Sequence, residues 1–145
     1  MNCKSLNCKR LIIASLVIFV VVSALDYLVN NVILTSTYMS EPLKKLWRPD
    51  MMSKLWIGYV FSLLSSLLFT YIFVKGYEAK GLLEGVRFGI LIWLFMVVPV
   101  SHGYYVVLDK LPYSLCLQWC GYGLIEMLVA GILVAAIYKP LPKAA

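Results

Sequence analysis

Four apolar runs, each about 20 residues or longer, dominate this chain, and a run of that length has few ways to fold. As an α-helix it crosses the ~30 Å hydrocarbon core of a bilayer. The backbone there must satisfy its own polar groups, which a helix does within one segment. The runs fall at about 11–34, 54–74, 82–107 and 113–138. The expected fold class is therefore all α: a polytopic membrane protein, a four-transmembrane-helix bundle, with residues 1–145 as a single transmembrane domain. Composition closes off the soluble alternative. The chain is 62% hydrophobic and 14% charged with a mean hydropathy of +0.87, too apolar a surface for a one-domain chain in water.

Between the second and third runs lies a polar seam, KGYEAKGLLEGVRFG (75–89), which holds four of the nine glycines. Gly81, Gly85 and Gly89 recur every four residues and open the third run with two overlapping GxxxG motifs. Gly58, Ser62, Ser66 and Thr70 make a matching small-residue stripe on the second. Small stripes let helix backbones approach closely in lipid, where dispersion packing drives association. The spacing predicts a tight antiparallel hairpin in which Gly58, Ser62 and Ser66 face Gly85 and Gly89. Pro99, inside the third run, predicts a kink.

The connection over 35–53 carries Pro42 and Pro49, which break a long helix, yet Leu43, Leu46, Trp47, Met51 and Met52 are too apolar for a solvated loop. With Lys44, Lys45 and Arg48 they suggest a short amphipathic segment in the headgroup layer. Net charge is +6, but the basic residues sit in connections and at helix ends, so nucleic acid is not an expected partner and the lipid bilayer is. Four spans put both termini on one side. That side takes Lys4, Lys9, Arg10, Lys75, Lys80, Arg87, Lys139 and Lys143, against Lys44, Lys45, Arg48, Lys54 and Lys110 on the other. The excess predicts cytoplasmic termini. Val22-Ser23-Ala24 has the small-residue character of a cleavage site, but apolar sequence continues to Leu34, so an uncleaved first span is expected.

Ionisable groups at membrane depth cost about 2.5–3.5 kcal/mol each on insertion scales, so each needs a reason. Three stand out: Asp26, His102 and Glu126. At 1.5 Å of rise per residue they lie roughly 24, 22 and 18 Å from the side of the termini, within about one helical turn of depth. Asn30 shares a face with Asp26 at i+4. Facing inward, the four can form one proton- or cation-binding cluster, or a polar clasp that fixes helix register; the clasp is the plainer expectation. Further polar help within the spans is limited to Ser23, Asn31, Ser101 and Gln118.

Near the seam, Lys75, Lys80 and Arg87 form a candidate lipid-headgroup or anion site. Glu84 and Arg87, at i and i+3, offer the simpler reading of an ion pair within the helix. The cysteines fall in two pairs, Cys3 with Cys8 and Cys116 with Cys120, and neither has the CxxC spacing of zinc or dithiol sites. Packing is the expected role of Cys116 and Cys120, and no metal ligand set, cofactor or catalytic residue is expected. Nucleotide loops, HExxH and GxSxG are absent from the sequence.

The combination LWRP (46–49), KGYEAKGLLEGVRFG (75–89) and YKP (138–140) resembles a group of small bacterial four-helix membrane proteins. The resemblance covers most of the chain and implies the four-span topology, with no activity and no functional residues carried over. A bacterial inner membrane is the expected location. The leading functional expectation is non-enzymatic, an accessory, assembly or scaffold subunit that meets another membrane protein or its own copies. The alternative is a small oligomeric proton- or ion-coupled transporter working through Asp26, His102 and Glu126. A quinone- or thiol-linked redox protein built on Cys116 and Cys120 comes third. A transporter predicts a water-reachable cavity at Asp26, His102 and Glu126; a scaffold predicts a dry bundle with an apolar outer groove.

Overall fold

The structure is a computed structural model, and it describes residues 7–139. Helix α1 (Cys8–Leu28) continues directly into a π turn over Val29–Ile33, followed by two single-turn helices, α2 (Thr35–Tyr38) and α3 (Glu41–Lys44). Helix α4 spans Met51–Lys75. Helix α5 (Leu82–Ile92) runs through a second π turn (Trp93–Val97) into α6 (Val98–Val107), and α7 (Tyr113–Ile137) ends the described chain. Four continuous units, Cys8–Ile33, Met51–Lys75, Leu82–Val107 and Tyr113–Ile137, are 25 or 26 residues long and apolar enough to cross a membrane. No strand occurs among the described residues. The molecule is an all-α bundle of four membrane-type helices, as the apolar runs predicted.

The described chain starts and finishes at one end of this bundle. Asn7 caps α1, its side-chain oxygen accepting from the Arg10 backbone N–H at 3.2 Å. Arg10 reaches across to donate to the Ile137 carbonyl at 3.0 Å, and the Asn7 amide donates to the Lys139 carbonyl at 3.2 Å. These bonds clasp the start of the first span to the end of the last. Cys3, Lys4 and Lys143, which enter the cysteine pairing and the charge count above, lie outside the described residues.

Helix α7 is the hub, packing along α5, α1 and α6, whereas α4 packs mainly along α1. The expected hairpin between the second and third spans is therefore not the one that forms. Gly85 and Gly89 face α7, where a Cβ on Gly85 would collide with the Gly131 carbonyl and one on Gly89 with the Met127 carbonyl. The reason lies in α7, which brings its own gap at Gly131 to the same depth and so lets two backbones touch. Gly58 has nothing within 4 Å of where its Cβ would sit, and neither has Gly81, which instead adopts φ +75° in the turn before α5. The lower stripe of α4 does pack: Ser66 and Thr70 are buried, each hydroxyl donating 2.9 Å to the carbonyl four residues back. Helix α4 meets α5 through rings, Phe88 lying edge-on to Phe69 at 4.7 Å and to Phe73 at 5.4 Å.

Two apolar clusters divide the interior. Toward the termini, Ala14, Ile18, Phe69, Phe73, Ala130 and Val134 pack together. Toward the far end, Val29, Leu34, Leu43, Leu111 and Leu115 do so. Leu43 is almost fully buried, so the 35–53 connection is not simply an interfacial segment: α3 plugs the far end of the bundle while Leu46, Trp47, Met51 and Met52 stay exposed. The Pro99 effect is a change of helix type, since the Val98 N–H bonds to the Trp93 carbonyl five residues back and the widened turn lies just before the proline.

Candidate functional site

Asp26 of α1 and Glu126 of α7 lie between the two apolar clusters and face the same space. Both line a cleft of about 540 Å³ between α1 and α4, and both line a second one, about 270 Å³, between α1 and the α6–α7 pair. The larger cleft exists because α4 leaves α1 over its first half. Its walls run from Asn31, Met51 and Met52 at the far end down to Val22, Ser62 and Glu126 at mid-span. No Lys or Arg is among its lining residues. At its foot, the Ser23 hydroxyl is shielded from solvent and finds no hydrogen-bond partner.

Asn30 joins this pair as its i+4 spacing predicted. Its amide nitrogen donates to the Asp26 carboxylate at 2.7 Å and to the Asp26 carbonyl at 3.0 Å. A chain of bonds continues upward: the Tyr38 hydroxyl donates to Asn30 Oδ1 at 2.6 Å and accepts from Trp119 Nε1 at 2.8 Å. Burial pushes the Tyr38 phenol above its ordinary pKa, so it keeps the proton it donates. Helix α2 thus ties the mid-span carboxyl to the far end. The π turn over Val29–Ile33 carries Asn30, and Val97 of the other π turn lines the smaller cleft with it. Widened turns of this kind frequently mark functional sites.

His102 does not join the cluster. Its Nδ1 donates to the Val98 carbonyl at 2.8 Å, and its Nε2 lies 3.4 Å from the Tyr113 hydroxyl. A π turn inserts one residue and so rotates the following helix face by about 100°. On that turned face Val97, Val100, Ser101 and Tyr104 line the cleft instead. Tyr38 and Trp119 were not legible as partners from sequence, because neither lies on the same helix as Asp26 and only the fold brings them together.

At the seam, Lys80 and Arg87 line a cleft of about 280 Å³ together with Glu78 and Glu84. Lys75 is not part of it and lies over the Tyr71 ring, 5.1 Å from its centroid. Lys80 pairs with Glu78 at 2.5 Å and holds that carboxyl below its ordinary pKa. Glu84 does not make the expected ion pair with Arg87; its two oxygens accept from the backbone N–H groups of Glu78 and Lys80 at 2.6 and 2.9 Å. The turn before α5 needs those acceptors more than the exposed guanidinium does. The three cations therefore do not converge on one anion position.

Cys116 and Cys120 are buried and unbridged, and neither lines any of these clefts. The Cys116 thiol donates to the Ser101 carbonyl at 2.7 Å, and the Cys120 carbonyl accepts from Trp93 Nε1 at 2.8 Å. Among the described residues no group of three His, Cys, Asp or Glu is arranged to hold a metal. No family model, curated protein or solved structure matches the chain.

Proposed function

We propose that this chain is a small proton- or cation-coupled membrane transporter, acting in a bacterial inner membrane with its termini in the cytoplasm. The observation that carries the proposal is the carboxyl pair at the foot of the larger cleft. Asp26 and Glu126 line about 540 Å³ of space that leads from mid-span to the far end of the bundle. A carboxylate in hydrocarbon must find a partner, water or a proton, and this pair has no basic side chain lining its cleft. The arrangement suits uptake and release of a proton or cation from the far side. Proton titration is the direct test. Difference infrared spectra of the purified protein, recorded across a pH range, should contain a carboxylic C=O band that Asp26→Asn and Glu126→Gln each alter. In liposomes, Glu126→Gln should abolish flux driven by a pH gradient. A spectrum without a titrating mid-span carboxyl would end this reading.

The accessory or scaffold reading draws support from the outer half of α4. Trp56, Val60 and Phe61 are exposed there, which leaves a helix face for a second copy or another membrane protein. Cross-linking at Phe61→Cys in native membranes distinguishes a self-contact from a contact with another protein.

A further inference from the structure

We infer that the larger cleft binds a lipophilic amine in its protonated form, with the ammonium group between Asp26 and Glu126 and the apolar body along α4. The inference rests on the carboxyl-pair reading above and names the ligand class. Charge sets its first limit. Two carboxyls and no Lys or Arg line the cleft, so an anion is excluded, and a neutral molecule leaves the pair unmatched at membrane depth. The phosphate of a zwitterionic lipid headgroup would enter beside the same carboxyls, which favours a free amine over a lipid.

Size and shape set the second limit. At about 540 Å³ the cleft falls within the roughly 300–1,000 Å³ of small-molecule sites. A bare metal cation needs oxygens closing around it at about 2.0–2.6 Å, and a cleft this wide does not form such a cage. Its walls suit an organic body: Leu55 and Met51 are apolar and adaptable, and Tyr27 and Tyr59 offer ring faces that attract cations. Finally, the Ser23 hydroxyl at the foot is shielded and unpartnered. A turn about χ1 brings that oxygen to the cleft, where it accepts an ammonium N–H, which a quaternary ammonium lacks.

The test uses the full chain in nanodiscs of zwitterionic lipid, with radiolabelled 4-phenylbutylamine as probe and its alcohol and trimethylammonium analogues as competitors. The expected result is saturable binding of one amine per chain, displaced at least tenfold less well by the alcohol. Glu126→Gln should weaken binding at least tenfold. Gly58→Trp, which fills the cleft, should do the same, and Gly58→Leu serves if the larger side chain lowers the melting temperature. Ser23→Ala should cost the amine severalfold and leave the quaternary analogue unchanged. Equal displacement by amine and alcohol, or unchanged binding in the cleft-filled variant, would overturn the inference. Infrared titration of the unmodified protein without amine then separates the two proposals: a titrating carboxyl leaves the transporter reading standing without this ligand, and its absence removes both.

Discussion

Gly85 and Gly131 meet backbone to backbone: a Cβ placed on either would run into the carbonyl of the other. Gly89 repeats the contact one turn along, against the Met127 carbonyl. In lipid such closeness is the source of helix affinity, because apolar tails leave little water to exclude. Gly85→Ala or Gly131→Ala is expected to destabilise the bundle by about 1–3 kcal/mol, the usual cost of overpacking. Gly58→Ala meets nothing within 4 Å and should be neutral or gain up to about 1 kcal/mol from helix propensity. Thermal melts in detergent read the difference, and similar losses at Gly58 and Gly85 would contradict it.

Glu84 sits at the third position of α5 and reaches back past Gly81 to hold the N–H groups of Glu78 and Lys80. Between those two amides Ala79 is held at φ 62°, a left-handed conformation that a side chain resists by roughly 1–2 kcal/mol. Glu84→Ala should loosen the turn by about 1–2 kcal/mol, as loss of a cap does, and raise hydrogen exchange at amides 78 and 80. Ala79→Gly should slow exchange at the same two amides. Arg87→Ala should leave both alone.

How much of this was legible in the sequence depends on distance along the chain. Hydropathy gave the four spans because a helix in lipid is specified by one continuous segment. The Asp26–Asn30 bond was legible for the same reason, as an i+4 pair on one helix. The partner of the Gly85 stripe was not. Two stripes were visible on neighbouring spans, whereas Gly121, Gly123 and Gly131 of α7 form no four-residue repeat, and nothing local tells which helix will come closest. Depth along an ideal helix puts His102 level with the carboxyls, but the π turn at Trp93–Val97 changes which face follows it. Leu43 reads as a membrane-surface residue because its burial depends on Leu34, Leu111 and Leu115 from elsewhere in the chain.

Asp50 supplies a pH dependence outside the spans. Arg48 Nε donates to its carboxylate at 3.0 Å, the Lys54 ammonium pairs with the second oxygen, and Arg48 then Lys54 hold its pKa below the ordinary value. A depressed folded-state pKa contributes stability that is complete above the unfolded value, about 4, and is lost as pH falls through the folded one. Amide protection in the first turn of α4 should therefore be constant from neutral pH down to about 4 and decline below it. Asp50→Asn should give the weaker protection at neutral pH and remove the decline.

Tyr38 couples the far end of the bundle to the mid-span pair. Its hydroxyl donates to Asn30 and accepts from Trp119, so Tyr38→Phe strips a donor from one partner and an acceptor from the other without changing ring volume. Leaving such groups unmatched costs about 1–3 kcal/mol. Asn30→Ala also removes the acceptor for Tyr38 and the donor to Asp26. If the bonds act as one chain, the double variant should lose less than the two single losses combined, with a coupling of about 0.5–3 kcal/mol. The Trp119 indole N–H resonance gives an independent reading: it should move in Tyr38→Phe and, through the reoriented hydroxyl, in Asn30→Ala. The Trp93 indole, bonded to the Cys120 carbonyl, should stay where it is in both. Strict additivity of the two losses, with the Trp119 signal unmoved by Asn30→Ala, would mean that Tyr38 serves two separate bonds and that α2 is not linked to Asp26.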